Sequence, residues 1–334
     1  MWQVVGQPKA ITLLERSIEI GQLSHAYLFV GPPHVGKLTL ALNLAQVVNC
    51  GAAAPPCGEC TSCRRIAAGK HADVQIIGLI SEEKREIGIE QIREMQTAAS
   101  LPPYEGRHKV FIFDKAELLS HEAANCLLKT LEEPSPQVLL VLLTARESAL
   151  LPTIVSRCQR VELRPLPVTL IKEALIENYG IAADRAELLA RLSDGCFGWA
   201  LLTMQDEKIL EERSRRLTTL VDLSYASLKQ RLAYAAELAA QFSRSREEVE
   251  EVLALWLQWW HDLLLVKGGD GKFVTNIDQQ STLFQQAKHL STRQVMDFIY
   301  HLQATHEQLE QNANPRLALE VLMLSMPGKG GLKA

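Results

Sequence analysis

GPPHVGKL, residues Gly31 to Leu38, follows directly after a short apolar run and precedes a helical pattern. Loops that bind phosphate between a strand and a helix follow the pattern G-x-x-x-x-G-K-[ST]. Gly31, Gly36 and Lys37 match it, but Leu38 stands where a hydroxyl should hold Mg²⁺. The stretch therefore predicts a strand–loop–helix unit and a nucleotide site that has lost a metal ligand.

A second part of a nucleotide site is also present and also altered. The apolar run Val110–Phe113 ends in Asp114, the acidic residue that usually faces such a loop. Lys115 follows, where an ATPase of this broad class carries its catalytic glutamate. Without a hydroxyl on Mg²⁺ and a base that positions water, phosphoryl transfer loses both of its organising groups. We expect no ATP hydrolysis, while ATP binding stays open: the loop either still cradles phosphate or only preserves the local geometry.

The first half of the chain alternates strand-like and helix-like patterns, which is typical of a parallel sheet with crossover helices. The strand candidates are nearly continuous apolar runs, as expected when both faces of a sheet are covered. They are Ala26–Val30, Val74–Ile77, Val110–Phe113, Val138–Thr144 and Arg160–Leu163. Ser120 is a predicted helix N-cap, and Pro134 ends that helix. Beyond the linker Arg164–Pro167 only helical patterns occur, so the predicted fold class is α/β followed by all-α.

Four of the seven cysteines are close together in the sequence, with the spacing C-x6-C-x2-C-x2-C. They are Cys50, Cys57, Cys60 and Cys63. In a reducing compartment this density favours a metal over disulfides, and four thiolates form the closed tetrahedral shell of a structural zinc site. Free thiols and an iron–sulfur cluster are the alternatives. We predict a structural Zn²⁺ module at about residues 50–63, inserted into the α/β domain.

The composition is that of an ordinary globular protein, with 47% hydrophobic residues and a formal net charge of -4. This charge does not indicate a nucleic-acid-binding protein. Contact with nucleic-acid phosphate is one interpretation of the basic residues Arg107, His108, Lys109 and Lys129, and we favour the other, that each is a solvated surface charge. The sequence shows neither a run long enough for a membrane span nor a signal peptide. We therefore expect a cytoplasmic protein without a membrane partner.

Three tryptophans, Trp256, Trp259 and Trp260, recur at helical spacing in the C-terminal half. Large aromatic side chains at this spacing dominate both protein cores and interfaces between subunits. We predict that the stripe is buried either between helices of this chain or at a subunit contact.

Several further segments carry a resemblance to a known family. They are Val5-Gly6-Gln7, Ser24–Phe29 before the loop, Ala123–Pro134 (AANCLLKTLEEP), Ser156-Arg157-Cys158 and Asn276-Ile277-Asp278. Together with the four cysteines, they resemble the clamp-loader subunits of bacterial DNA polymerase III. The resemblance implies an ATPase-like (AAA+) domain over residues 1–164, a small helical lid over 165–207, and a helical collar for oligomerisation over 208–334.

The resemblance also implies a role for Arg157 as an arginine finger that acts in trans on the nucleotide site of a neighbouring subunit. A guanidinium is permanently charged and forks onto phosphate oxygens, which suits this role. The other interpretation is an ordinary surface arginine. The implied partners are motor and clamp-opening subunits in a five-subunit ring and, through that complex, the sliding clamp and primed DNA. The ring belongs to the DNA-directed DNA polymerase holoenzyme, a nucleotidyltransferase.

The chain departs from the hydrolysing members of this family at four positions. Leu38 and Lys115 replace the metal-binding hydroxyl and the catalytic glutamate, and His34 replaces a loop glycine. Gly198 stands where motor subunits carry a nucleotide-sensing arginine. These departures favour a non-hydrolysing subunit. The alternatives are an ATP-hydrolysing motor-type subunit or related ATPase, and a zinc-dependent nucleic-acid-binding module, which the acidic balance disfavours.

Overall fold

The computed structural model describes residues 2–81, 84–311 and 313–328. It divides into two compact units: Met1–Ala186 with Ser193–Leu201, and Glu187–Leu192 with Leu202–Ala334. The separate lid domain stays a prediction, and residues 329–334 of the predicted collar lie outside the described part of the chain.

A five-stranded parallel sheet organises the first unit, with the strand order β2-β3-β4-β1-β5. The strands are β1 Ala26–Val30, β2 Val74–Ile77, β3 Lys109–Phe113, β4 Val138–Thr144 and β5 Gln159–Glu162. All five predicted strands are confirmed, with β3 and β5 beginning one residue earlier than expected. Leu163, the predicted end of β5, still donates its backbone N–H to Val30 O at 2.8 Å.

Helices α1 to α6 cover both faces of this sheet. They are α1 Pro8–Glu19, α2 Lys37–Asn49, α3 Thr61–Ala67, α4 Ile89–Ala99, α5 His121–Glu132 and α6 Pro152–Val155. The next helices along the chain are α7 Val168–Tyr179, α8 Ala183–Leu192 and α9 Phe197–Gln205. Tyr27 and Phe29 of β1 are buried in a core with α1 and α2. Ala26 and Leu28 point to the opposite core, with α4, α5 and α6. Strand residues therefore alternate between two apolar layers, which explains the continuous apolar runs.

The signature helix α5 begins and ends where its sequence predicts. Ser120 Oγ accepts a hydrogen bond from Ala123 N at 3.1 Å, which satisfies one of the free N–H groups of the first turn. The helix ends at Glu132, two residues before Pro134, which cannot continue a helix. The cap and the proline together fix the position of Glu132 at the end of α5.

The second unit is helical. Its remaining helices are α10 Lys208–Tyr225, α11 Leu228–Phe242, α12 Arg246–Gly268, α13 Gln280–His289, α14 Thr292–Glu310 and α15 Pro315–Ser325. Trp256, Trp259 and Trp260 of α12 are fully buried in its apolar core. The burial prediction is confirmed, and the tryptophans fill the core of this chain. No helix in the described part of the chain is long and apolar enough to cross a membrane.

A buried polar network explains the segment Asn276-Ile277-Asp278. The carboxylate of Asp262 is fully buried and accepts hydrogen bonds from Thr275 N, Asn276 N and Asn276 Nδ2. Arg213 of α10 donates to Asn276 Oδ1 and to Asp278 Oδ2. Burial lowers the pKa of Arg213, an effect that the carboxylates of Asp278 and Asp262 oppose. The motif therefore ties the loop after α12 to α10 and α12.

Candidate functional site

The phosphate-type loop, residues Gly31 to Gly36, joins the end of β1 to the start of α2, as the sequence predicts. Gly31 N donates to Thr144 O of β4 at 3.1 Å, which places the loop at the carboxyl edge of the sheet. Gly36 has a φ of 107° and is the N-cap of α2. That backbone conformation favours glycine, because a Cβ would be strained there.

The ammonium group of Lys37 contacts its own loop. Nζ donates to Gly31 O at 2.5 Å and to Pro32 O at 2.8 Å. Burial lowers the pKa of Lys37, and the nearby carboxylates of Glu117 and Asp114 oppose this shift. The lysine that would meet a nucleotide phosphate is thus bonded to the loop carbonyls.

Leu38, which stands where the loop pattern places a metal-binding hydroxyl, has an apolar environment. Leu38 packs against the core formed with α1 and α2, whereas Thr39 is exposed. Asp114 lies just beyond β3 and donates its N–H to Ile77 O at 2.8 Å. Lys115 follows in a left-handed conformation, with a φ of 55°. Asp114 and Lys37 therefore lie at the same edge of the sheet without the hydroxyl and glutamate of an active site.

Helix α9 closes on the loop at Gly198. Gly198 N donates to His34 O at 2.9 Å. A Cβ added at Gly198 would lie only 2.7 Å from that oxygen, so this approach requires glycine. The predicted sensing position is in backbone contact with the loop and carries no side chain that could reach a phosphate.

Arg157 lies just beyond α6, with its side chain 36% exposed. Nη2 is 2.8 Å from Glu132 Oε1, and Nη1 donates to Thr153 O at 2.9 Å. Within the described residues, its hydrogen bonds and ion pairs go to Glu132, Thr153 and Ser156, not to the loop of its own chain. The structure thus separates Arg157 from Lys37 and leaves its guanidinium accessible from outside.

The structure brings the four predicted cysteines together at the other end of α2. Their Sγ atoms all lie within 4.8 Å of one another. Cys50 Sγ is 3.6 Å from Cys57 Sγ and 4.0 Å from Cys60 Sγ, and Cys57 Sγ is 4.0 Å from Cys63 Sγ. Zn–S bonds of about 2.3 Å in a tetrahedron require sulfur atoms about 3.8 Å apart. The donor set and its spacing are therefore compatible with zinc.

Backbone groups prepare this cluster for thiolates. Cys60 N donates to Cys57 Sγ at 3.3 Å and Cys63 N donates to Cys60 Sγ at 3.4 Å. Hydrogen bonds from the backbone N–H groups of Cys60 and Glu59 lower the pKa of Cys57 to about 6. Burial raises the pKa of Cys63 to about 12. A cation among the sulfur atoms would supply the charge that the buried thiolate needs.

Two polar side chains that the sequence analysis did not single out connect this cluster to the sheet. Asn49, the residue before Cys50, accepts hydrogen bonds from Arg107 N and His108 N. Asp73 accepts from Tyr104 N, Glu105 N and Gly106 N. Burial raises the pKa of Asp73, but these N–H groups outweigh it and the pKa is lowered. Neither residue belongs to a spacing pattern, so the sequence offered no signal for them.

Glu117 is a third residue that the sequence analysis missed. Its Oε1 accepts a hydrogen bond from Ala145 N at 3.2 Å, next to the Thr144 carbonyl that holds Gly31. The Glu117 carboxylate therefore lies beside the loop and contributes negative charge near Lys37. Glu117 is about 80 residues from the loop in the sequence, so local patterns could not predict that the two lie close together.

Family comparisons cover most of the chain. The family model "DNA polymerase III, delta subunit" matches residues 6–167, and "DNA polymerase III, delta subunit, C terminal" matches residues 207–327. The DNA polymerase III subunit delta' of Bacillus subtilis is 31% identical over 325 residues, which cover 96% of each chain. The DNA polymerase III subunit tau of Escherichia coli is 34% identical over 274 residues, which cover 79% of this chain and 42% of tau. The chain thus spans nearly all of the first relative and under half of the second.

Similar solved structures come from Thermotoga maritima. One is a DNA polymerase III gamma subunit-related protein, with 20% identity, a TM-score of 0.39, and coverage of 93% of this chain and 97% of that one. Another is the RuvB Holliday junction branch migration motor, with 20% identity, a TM-score of 0.40, and coverage of 65% and 64%. Scores this low do not establish a shared arrangement of the whole chain.

Proposed function

This chain belongs to the clamp-loader family of bacterial DNA polymerase III, and from that membership we propose that it is the delta-prime subunit of the polymerase holoenzyme. In this role it joins a five-subunit ring and does not hydrolyse ATP. It donates Arg157 to a neighbouring ATPase subunit and helps to load the sliding clamp onto primed DNA during replication. The match over nearly the full length of a delta' relative supports this assignment.

The observation that carries the non-hydrolysing role is the bonding of Lys37 to its own loop. Both hydrogen bonds of its ammonium go to carbonyl oxygens, Gly31 O and Pro32 O. A phosphate would have to replace these bonds, and Leu38 supplies no oxygen for the Mg²⁺ that accompanies it. The proposal is therefore that Gly31, Gly36, Lys37 and Asp114 are the remains of a nucleotide site that keeps its backbone geometry and not its chemistry.

The accessible guanidinium of Arg157 supports the finger role. An arginine finger must be exposed in the isolated subunit, because its target lies on another chain. Arginine fingers supplied in trans raise the rate of phosphoryl transfer by about 10³–10⁵ in related reactions. Arg157 satisfies the exposure requirement and lies away from its own loop.

The four cysteines hold a structural zinc ion in this proposal. Four thiolates fill a tetrahedral shell and leave no position for substrate, so the ion stabilises the fold and takes no part in hydrolysis. Cys50 ends α2 and Cys60 and Cys63 lie at α3, so the ion joins two helices.

Exposed apolar side chains of the second unit support assembly with other subunits. Large side chains lie at helical spacing on α14 and on α15, and helices at a subunit contact bury such residues. They are Met296 and Tyr300 on α14, exposed by 40% and 62%, and Leu317, Val321 and Leu324 on α15, exposed by 61%, 54% and 58%. We propose that these side chains contact partner subunits in the ring.

The identity with tau favours a second candidate, an ATP-hydrolysing motor-type subunit. Tau of Escherichia coli is 34% identical to this chain, slightly more than the delta' relative at 31%. The motor role requires Lys37 to leave its carbonyl partners and requires hydrolysis without a residue equivalent to the catalytic glutamate at Lys115.

One experiment separates the two candidates. Mg-ATP turnover is measured for the zinc-replete chain alone and then for the chain mixed with motor and clamp-opening subunits. We expect no turnover by the chain alone and turnover in the mixture that Arg157→Ala reduces by at least about 10³-fold at the site it serves. Turnover by the chain alone would establish the motor role, and unchanged turnover with Arg157→Ala would remove the finger role.

A further inference from the structure

The guanidinium of Arg157 is held by two groups on two different helices. Nη2 forms an ion pair with Glu132 Oε1 at 2.8 Å, and Nη1 donates to Thr153 O at 2.9 Å. Glu132 is the last residue of α5, and Thr153 lies in α6. Contacts with Glu132 and Thr153 therefore orient the Arg157 side chain.

The core fixes the backbone at both anchoring positions. Leu131 and Ile154, the chain neighbours of Glu132 and Thr153, are buried in the same apolar layer under the sheet. The carbonyl oxygen of Thr153 and the backbone of Glu132 thus keep their separation as long as α5 and α6 stay packed, and the Glu132 side chain reaches Arg157 from a fixed point. A group held by rigid elements orients a partner side chain more reliably than a group on a loop.

The contacts also leave donors available. A guanidinium has five N–H donors in a planar fork. Glu132 and Thr153 each take a donor from a terminal nitrogen, so other donors can bind a phosphate oxygen while the first two bonds persist. A free arginine samples many rotamers, and ordering it when the phosphate arrives costs entropy. If Arg157 is already ordered before the phosphate arrives, less of this entropy cost is added to the activation free energy.

We propose that Glu132 is a positioning residue for Arg157, which holds the guanidinium in the orientation that enters the neighbouring nucleotide site. This inference rests on the proposed function, since it assigns Glu132 a task only if Arg157 acts as a finger. Glu132 does not touch the nucleotide in this proposal and acts through Arg157 alone.

The test uses the reconstituted clamp loader and measures steady-state ATP hydrolysis with Glu132→Ala, Glu132→Gln and Glu133→Ala. Glu132→Ala should lower kcat at the nucleotide site that Arg157 serves about threefold to tenfold, the effect of freeing one long side chain. KM for ATP should change by less than about twofold, because a finger acts on charge that develops in the transition state. Glu132→Gln keeps an oxygen that can accept from Nη2, so it should retain most of the wild-type kcat.

Glu133→Ala is the matched control. It removes the adjacent carboxylate at the end of α5, and among the described residues Arg157 has its ion pair with Glu132 and not with Glu133. The control should leave kcat unchanged. Thermal unfolding of each variant chain should match the wild type, because the pair is largely exposed.

The double variant Arg157→Ala with Glu132→Ala decides the inference. If Glu132 acts only through Arg157, the double variant should hydrolyse ATP at the rate of Arg157→Ala alone. A further loss in the double variant, an unchanged kcat for Glu132→Ala, or an increase would overturn the positioning role. If Arg157→Ala itself has no effect, the finger role fails and Glu132 loses its task with it, an outcome distinct from failure of Glu132 alone.

Discussion

Gly198 donates its backbone N–H to the carbonyl oxygen of His34 at 2.9 Å, and this bond brings α9 against the phosphate-type loop. The contact leaves no room for a side chain, since a Cβ at residue 198 would lie 2.7 Å from the same oxygen. His34 has a φ of 60°, so the loop already has a left-handed residue at this point. His34 and Gly198, two positions at which the chain departs from the motor pattern that the resemblance implies, are therefore in direct backbone contact.

The first prediction concerns Gly198→Ala. The added Cβ forces α9 and the loop apart, and overpacking of this kind costs about 1–3 kcal/mol of unfolding free energy. Urea denaturation, followed by circular dichroism, measures the loss. Gly268→Ala is the control: an added Cβ there meets no atom within 4 Å, and in a helix it should be neutral or stabilising by up to about 1 kcal/mol. Equal losses in both variants would contradict the close contact.

The second prediction concerns the two groups that the proposed nucleotide site lacks. Leu38→Thr with Lys115→Glu supplies a hydroxyl and a carboxylate there, so Mg-dependent binding of a fluorescent ATP analogue should increase. Hydrolysis should remain near the background of the wild-type chain, because Gly198 supplies no arginine to the site. Lys37→Ala in the same background should abolish the gained binding. Robust turnover by the double variant would show that the contact at Gly198 does not prevent activity.

The third prediction concerns zinc. Chain purified under reducing conditions should contain about one zinc ion per molecule by atomic absorption, because four thiolates complete one tetrahedral shell. Cys57→Ser should lose most of the metal and lower the melting temperature by several degrees. Cys126 lies outside the cluster and its Sγ contacts Gln96 Oε1 at 3.4 Å, so Cys126→Ser should retain zinc. A metal-free wild-type chain would refute the site.

The fourth prediction concerns Asp262, which is fully buried. Asp262→Ala leaves the N–H groups of Thr275 and Asn276 unpaired and removes a charge that faces Arg213, so it should destabilise the chain by about 3–5 kcal/mol. Asp262→Asn keeps one acceptor oxygen and should lose less. The exposed Asp297, which pairs with Arg293 at 3.8 Å, is the control, and Asp297→Asn should stay within about 0.5 kcal/mol. Chemical denaturation measures the unfolding free energy of the three variants. A loss for Asp262→Ala no larger than that for Asp297→Asn would contradict the prediction.

Local patterns were sufficient to predict the strands, the capped helix α5 and the cysteine cluster. Ala26–Val30 and Val138–Leu143 are uninterrupted apolar runs bounded by polar or glycine residues, and both strands are buried. Cys57, Cys60 and Cys63 are close in sequence, so a short loop brings them together whatever the rest of the fold does. Features of this kind depend on neighbours along the chain, which the sequence displays directly.

Contacts between distant segments could not be predicted in this way. Glu132 is part of the signature helix, but nothing in its spacing indicates that it pairs with Arg157. The bond between Gly198 and His34 depends on how α9 returns to the sheet, and periodicity contains no such information. The role of Asn276 required knowledge that Asp262 is buried beside it. Each of these contacts depends on how distant helices and strands pack together, and local sequence patterns do not specify this packing.

The helix α2 begins at the phosphate-type loop and ends beside Cys50, and its 13 residues span about 20 Å at a rise of about 1.5 Å per residue. The four clustered cysteines and the phosphate-type loop therefore lie at opposite ends of this helix. We expect the proposed zinc content to be independent of substitutions at Lys37, Leu38 or Gly198 as long as α2 stays folded. Zinc content would then report on the folding of the distant end of α2 in any variant of the loop.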